Sequence, residues 1–160
     1  VICDSFDTFA ATLPPNRAIA GLDFGDKTIG IAISDLRRMV ATPVETLRRV
    51  KFTEDATRLL ALLTTRGAHG IVLGLPLNMD GSTGPRVQAT QAFARNLARM
   101  TDLPITFWDE RLSTVAAERA LLEADTSRKR RKEVIDAVAA GYILQGALDR
   151  MGHMGNGVQT

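Results

Sequence analysis

Two apolar runs, Ala18 to Asp23 and Thr28 to Ser34, are separated only by Phe24-Gly25-Asp26-Lys27. Parallel neighbours need a crossover of a dozen or more residues, so a link this short makes the two runs an antiparallel hairpin. A third strand over Ala41 to Leu47 completes a meander. After it, helices and strands alternate. Leu59, Leu60, Leu62 and Leu63 mark a helix from Thr53 to Arg66 with Gly67 near its end. Gly70 to Leu73 reads as a buried strand, and the long loop Gly74 to Gly84 leads to a helix that Pro85 opens and that runs to about Met100. Ile105 to Asp109 is the fifth strand, Ser113 caps a helix ending near Ala124, and the last helix spans Lys132 to Arg150. This order predicts an α/β fold with a mixed five-stranded sheet, three antiparallel strands followed by alternating helices and strands, flanked by helices. Residues 1–16, ending in Leu13-Pro14-Pro15-Asn16, read as a flexible leader, residues 17–150 as one domain, and residues 151–160 as a disordered tail.

A chain of 160 residues with 45% hydrophobic and 24% charged residues buries a core without staples. Its single cysteine, Cys3, has no disulfide partner within the chain, which fits a reducing cytoplasm. No apolar run approaches the roughly 20 residues that span a bilayer, so no membrane partner is expected. The net charge, 20 − 18 = +2, is too small to argue for nucleic acid by itself. Its distribution says more, because Arg128, Lys129, Arg130, Arg131 and Lys132 are consecutive. Such a run is as readily a solvated loop as a phosphate clamp, and its position just before the helix carrying Asp136 favours the clamp.

Three acids sit where apolar side chains would fold more easily. Asp23 and Glu110 end strand-like runs, and Asp136 lies inside a helical pattern. Carboxylates in such places are costly unless they are paired or bind a cation, so together they suggest a magnesium site for phosphodiester chemistry. Gly25 permits a tight turn that leaves Asp23 at the strand's open edge, within the pattern D-x-G-x-x-x-x-G formed by Asp23, Gly25 and Gly30. Asp109 and Glu110 point to opposite sides of an ideal strand, so one of the two joins the site, and both can equally be solvated acids near a helix capped by Ser113. Ala139, Ala140 and Gly141 are small enough to let a helix approach a sheet closely, carrying Asp136 toward the other acids. Pairing of Asp136 with Arg131 or Lys132 on a solvated helix is the alternative. The near match of Gly21 to Thr28 to a nucleotide-binding loop fails at Asp26, which would repel a triphosphate. His69 and His153 are too scattered for zinc, and Trp108 reads as a packing residue.

In combination these motifs closely resemble the YqgF/RuvX family of RNase H-like proteins, known as Holliday junction resolvases and as pre-16S ribosomal RNA nucleases. The resemblance covers about Ala18 to Arg150 and includes Gly74-Leu75-Pro76, Asn78, Asp80-Gly81-Ser82 and Ile143-Leu144-Gln145. It departs at Thr83, where many relatives carry an acidic residue. The resemblance implies a nuclease in which Asp23, Glu110 and Asp136 are catalytic and hold two Mg²⁺ or Mn²⁺ ions, with Asp23 bridging. Arg111 is a candidate contact to the scissile phosphate and Lys27 to the neighbouring backbone. Asn78 and Ser82, in the loop to Gly84, and Arg128 to Arg131 are candidate clamps on nucleic acid. Trimming the 5′ end of the small-subunit ribosomal RNA precursor is the preferred role. Junction resolution needs two coordinated cuts, and nothing marks the chain as more than a monomer or weak dimer. A junction resolvase and a noncatalytic nucleic-acid-binding module are the alternatives; retention of all three acids argues against the second.

Overall fold

In a computed structural model the hairpin is formed by β1 (Ala18–Phe24) and β2 (Thr28–Ser34), paired antiparallel with Asp23 opposite Gly30. The structure describes residues 1–112 and 128–158, with side chains for 1–112 and 137–153. β3 (Ala41–Arg48) pairs antiparallel with β2 and is a sheet edge, where Pro43 is tolerated because no further strand needs its missing N–H. The helix α2 (Phe52–Thr65) then crosses to β4 (Ala68–Leu75), parallel to β1. The helix α3 (Pro85–Ala98) crosses to β5 (Ile105–Asp109), parallel to β4. The five-stranded sheet has the order β3-β2-β1-β4-β5. The mixed sheet expected from the sequence is the one observed.

Strand alternation divides the core into two layers. Leu22, Phe24, Ile71 and Leu73 pack with Leu59 and Leu63 of α2 and Phe93 and Leu97 of α3. On the other face, Ile19, Val72 and Trp108 pack with Ala140, Ile143, Leu144 and Ala147 of the last helix, α4 (Arg128–Val158). β1 is buried along its whole length, so Asp23, on the α4 side with Ile19 and Gly21, is a carboxylate inside a central strand.

Three expectations are corrected. Residues 6–12 form a helix, α1 (Phe6–Thr12), rather than part of a flexible leader. The Ser5 side chain accepts from Thr8 N at 3.1 Å, Phe9 is fully buried, and the Ile105 carbonyl accepts from Cys3 N at 2.7 Å. One buried aromatic and one cap suffice for a helix too short to show a period. The described part of the last helix reaches back to Arg128, beyond Lys132, so the basic run is helical; Lys and Arg are good helix formers and nothing in the run breaks a helix. Its backbone also continues to Val158 instead of ending near Arg150, since glycine weakens an established helix without forbidding it. The helix expected from Ser113 to Ala124 lies outside the described residues. Among those described, no helix is long and apolar enough to cross a membrane.

Candidate active site

β1, β4 and β5 run parallel and end on the same side of the sheet, the side on which open α/β sheets place their ligands. Gly21 is opposite Val72 and Leu22 opposite Leu73. One step further along this register brings Asp23 beside Gly74. Gly74 in turn faces Trp108, and Leu75 faces Asp109, so Glu110 follows directly at the end of β5. The β4 terminus is thus flanked by Asp23 on one side and Glu110 on the other. Asp23 is only 3% exposed.

The absence of a side chain at Gly74 makes room for Ile143 of α4 beside Glu110. A Cβ there would stand 2.4 Å from Ile143 Cδ1 and 3.4 Å from a Glu110 carboxylate oxygen. At Gly21, two residues before Asp23 on the same face, a Cβ would stand 2.5 Å from Leu144 Cβ and 3.0 Å from the Ala140 carbonyl. The two glycines therefore let α4 lie against β1 and β4. Ala140 is one helical turn after position 136, so the α4 backbone brings that position to the stretch of helix approaching the strand ends. The Asp136 side chain lies outside the described residues. Among the described residues no group of three acids, histidines or cysteines forms a complete metal cage, and Asp23 and Glu110 are the described part of the expected set.

Of the adjacent acids, Asp109 turns to Arg111. The guanidinium donates from Nη2 to Oδ2 at 2.7 Å and from Nε to Oδ1 at 3.0 Å, and Arg111 N donates to Oδ1 at 3.0 Å. These bonds hold the Asp109 carboxyl below the ordinary carboxylate range and push the Arg111 guanidinium up. Asp109 is an ion-pair partner, and Glu110 is the acid beside Gly74.

The loop after β4 is folded on itself and tied to the same arginine. Asn78 Nδ2 donates to Ser82 Oγ at 3.0 Å, and Ser82 Oγ donates to Asp80 Oδ1 at 2.6 Å. Ser82 N also donates to Asp80 Oδ1 at 2.9 Å, and together these bonds lower the Asp80 pKa, helped by the charge of Arg111. Gly81, at φ +86°, lies against Arg111 Nη1, which donates to the Met79 carbonyl at 3.4 Å. Asn78 and Ser82 are placed at the strand ends, with Ser82 exposed. Lys27 is exposed on the β1–β2 turn, beyond Asp23. Arg128, Lys129, Arg130 and Arg131 occupy the first turn of α4, and their side chains lie outside the described residues. Trp108 is a core residue, edge-on to Phe6 at 5.7 Å between ring centres. Sequence reasoning missed the tie between Arg111 and the loop, because the partners are distant in the chain and share no motif.

A sequence model of the family described as RuvX, Holliday junction resolvase, matches residues 17–150. Similar curated proteins include one named "Putative pre-16S rRNA nuclease" from Ruegeria sp., 70% identical over 96% of this chain and 98% of that protein. One of the same name from Paracoccus denitrificans is 67% identical over 97% of this chain and 98% of that protein. Among solved structures, Thermus thermophilus RuvC in complex with a Holliday junction substrate aligns with a TM-score of 0.54 at 13% identity, covering 85% of this chain and 96% of that one. Another Thermus thermophilus RuvC structure aligns with a TM-score of 0.53 at 15% identity, covering 85% of this chain and 97% of that one. At that identity the likeness establishes the RNase H-like fold.

Proposed function

The chain belongs to the RuvX family, and from that premise we propose that it is a metal-dependent nuclease that cuts structured nucleic acid, trimming the 5′ end of the small-subunit ribosomal RNA precursor. The observation that carries this reading is the placement of Asp23 and Glu110 on either side of Gly74, at the open ends of three parallel strands.

The residues fit a divalent cation. Oxygen ligands on rigid elements suit Mg²⁺ or Mn²⁺, and a carboxylate inside a central strand is stabilised by a cation rather than by water. Asp23, Glu110 and Asp136 would hold the ions. Bound there, the ions supply an activated water and charge stabilisation for the leaving oxygen. Asp23 is fixed by the β1–β2 ladder, so its carboxylate is positioned before substrate arrives. Gly74 admits Ile143 beside Glu110, and Ala140, Ile143 and Leu144 form the apolar packing of α4 against the strands that carry the acids. Arg111, engaged with Asp109 and Met79, sets Asn78 and Ser82 at the strand ends, where they meet the sugar-phosphate backbone. Lys27 and the Arg128–Arg131 run extend that contact outward. The active unit is a monomer or weak dimer in the cytoplasm.

The test offers precursor ribosomal RNA and a four-way DNA junction in parallel to the purified protein with Mg²⁺ or Mn²⁺ and maps the cuts. Cuts at the precursor's 5′ boundary are expected. Cutting confined to the junction would move the role to recombination, and no cutting of either by wild type would end the nuclease reading.

A further inference from the structure

On the sheet face away from α4, the β3–α2 corner and α3 enclose a cleft of about 420 Å³, lined by Phe24, Arg49, Lys51, Phe52, Ala89 and Asn96, among others. Its floor is built from aromatic rings. Phe24 stacks on Phe93 at 4.3 Å between centroids, and Phe52 meets Phe93 edge-on at 5.9 Å. The Arg49 guanidinium lies over the Phe24 ring, 4.3 Å from its centre.

An exposed arginine ordinarily samples many rotamers, and fixing one costs about 2 kcal/mol of side-chain entropy. Arg49 is exposed yet pinned from three directions. Its Nη1 donates to the carbonyl of Gly25 at 2.7 Å and to that of Asp26 at 3.0 Å, and one face of its plane rests on Phe24. Both carbonyls belong to the turn that follows Asp23. The outcome is a flat, cationic surface fixed beside the cleft and tied to the strand that carries Asp23. Of the acids nearby, Asp55 is committed to Arg58 at 3.1 Å and to Val50 N at 3.0 Å, and Glu54 pairs with Lys51 at 3.5 Å, while the carbonyl of Asp26 is itself one of the anchors of Arg49.

A guanidinium plane held in this way stacks nucleobases, and unpaired bases are the part of a structured RNA that proteins read by stacking and edge contacts. We propose that the Arg49–Phe24 stack is a platform for one unpaired nucleobase of the substrate strand, seated in the cleft between the β3–α2 corner and α3. Asn96 lines the same cleft and offers an amide to the base edge, while Lys51 stands at its rim for the adjoining phosphate. Because the platform lies on the sheet face opposite the Asp23 carboxylate and meets it only around the Gly25–Asp26 turn, the base it holds belongs to a different nucleotide from the one whose phosphate meets Asp23. The platform would thus select substrates with a single-stranded segment that reaches past the strand ends to the far face of the sheet. This inference rests on the nuclease reading for its substrate.

The experiment uses a hairpin RNA with a single-stranded 5′ extension, in which the fluorescent base 2-aminopurine is moved one position at a time. Stacking quenches this base. With the full-length wild-type protein, quenching at one position is expected. Arg49→Lys keeps the charge but loses the plane, and Ala89→Trp fills the cleft from an exposed helix position without touching the fold. Each should abolish that quenching and weaken binding about tenfold, the scale of one stacked base. Binding without position-dependent quenching, or quenching that both variants retain, overturns the platform. Cleavage of the same RNA with Mg²⁺ is scored separately: localised quenching without cleavage supports the platform and sinks the nuclease reading, whereas cleavage without it sinks the platform alone.

Discussion

Arg111 closes on Asp109, with Nη2 and Nε reaching the two carboxylate oxygens at 2.7 and 3.0 Å, so that the acid ending β5 is neutralised by its own chain while the next residue, Glu110, faces Gly74. Two adjacent carboxylates thereby acquire different work. Glu110→Gln and Asp23→Asn should each lower the Mg²⁺-dependent cleavage rate by at least about 100-fold, as loss of a metal ligand removes several kcal/mol of charge stabilisation. Binding to RNA should stay close to wild type, because each change is nearly isosteric. Asp109→Asn should cost about tenfold or less, through a looser Arg111. Single-turnover rates beside binding titrations check the split, and an inactive Asp109→Asn with an active Glu110→Gln would reverse the assignment.

The same pair fixes a pH response. The bonds from Arg111 lower the Asp109 carboxyl below its ordinary 3.8, and those from Ser82 lower Asp80. A depressed carboxyl contributes stability that is fully present above its unfolded value and is lost as pH falls through the folded one. The tie between Arg111 and the 78–82 loop should therefore persist unchanged from neutrality to about pH 4 and open only in stronger acid. Carboxyl carbon shifts of Asp109, followed with the Gly81 amide signal, measure this. Titration of Asp109 at or above 3.8 would contradict it.

Gly74 supplies a test of how closely α4 sits on the sheet. In Gly74→Ala the new methyl would stand 2.4 Å from Ile143 Cδ1, and overpacking of this kind costs about 1–3 kcal/mol. Ile143→Val removes that terminal carbon, so the double variant should recover much of the stability that Gly74→Ala forfeits. Cleavage should not recover fully, since the methyl still stands 3.4 Å from a Glu110 carboxylate oxygen. Denaturant melts with rate measurements on the three proteins decide the matter; full recovery of activity in the double variant would show that a methyl beside Glu110 does not disturb it.

The sheet was legible because each strand ends in turn residues and the apolar runs lie at consistent spacing. Strand alternation said only that one of Asp109 and Glu110 joins the site, and the choice of Glu110 came from the family resemblance. Other features depend on contacts across the fold. α1 is held by burial of Phe9, which a seven-residue helix cannot announce as a period. The tie from Arg111 to Met79 and the stack of Arg49 on Phe24 join residues that carry no common motif. The start of α4 was misplaced because a run of cations was read as solvated loop, although its residues favour helix.

That corrected start sharpens the expectation for the basic run. Arg128 to Lys132 form the beginning of α4, whose first turn holds no acidic residue. Cations at a helix N-terminus oppose the macrodipole, an effect worth about 0.3–1 kcal/mol per charge at low ionic strength. Phosphates of a bound nucleic acid would offset that cost. Replacing Arg128, Arg130 and Arg131 by Ala should leave stability unchanged or raise it slightly, while affinity for RNA falls for all sequences alike. Every phosphate that the variant no longer neutralises should flatten the plot of log affinity against log salt by about 0.7–0.9. Thermal melts and a salt series on the triple variant separate the two effects. Lower stability with an unchanged salt slope would make the run a structural feature of α4, and a weakening confined to particular sequences would mean that it touches bases.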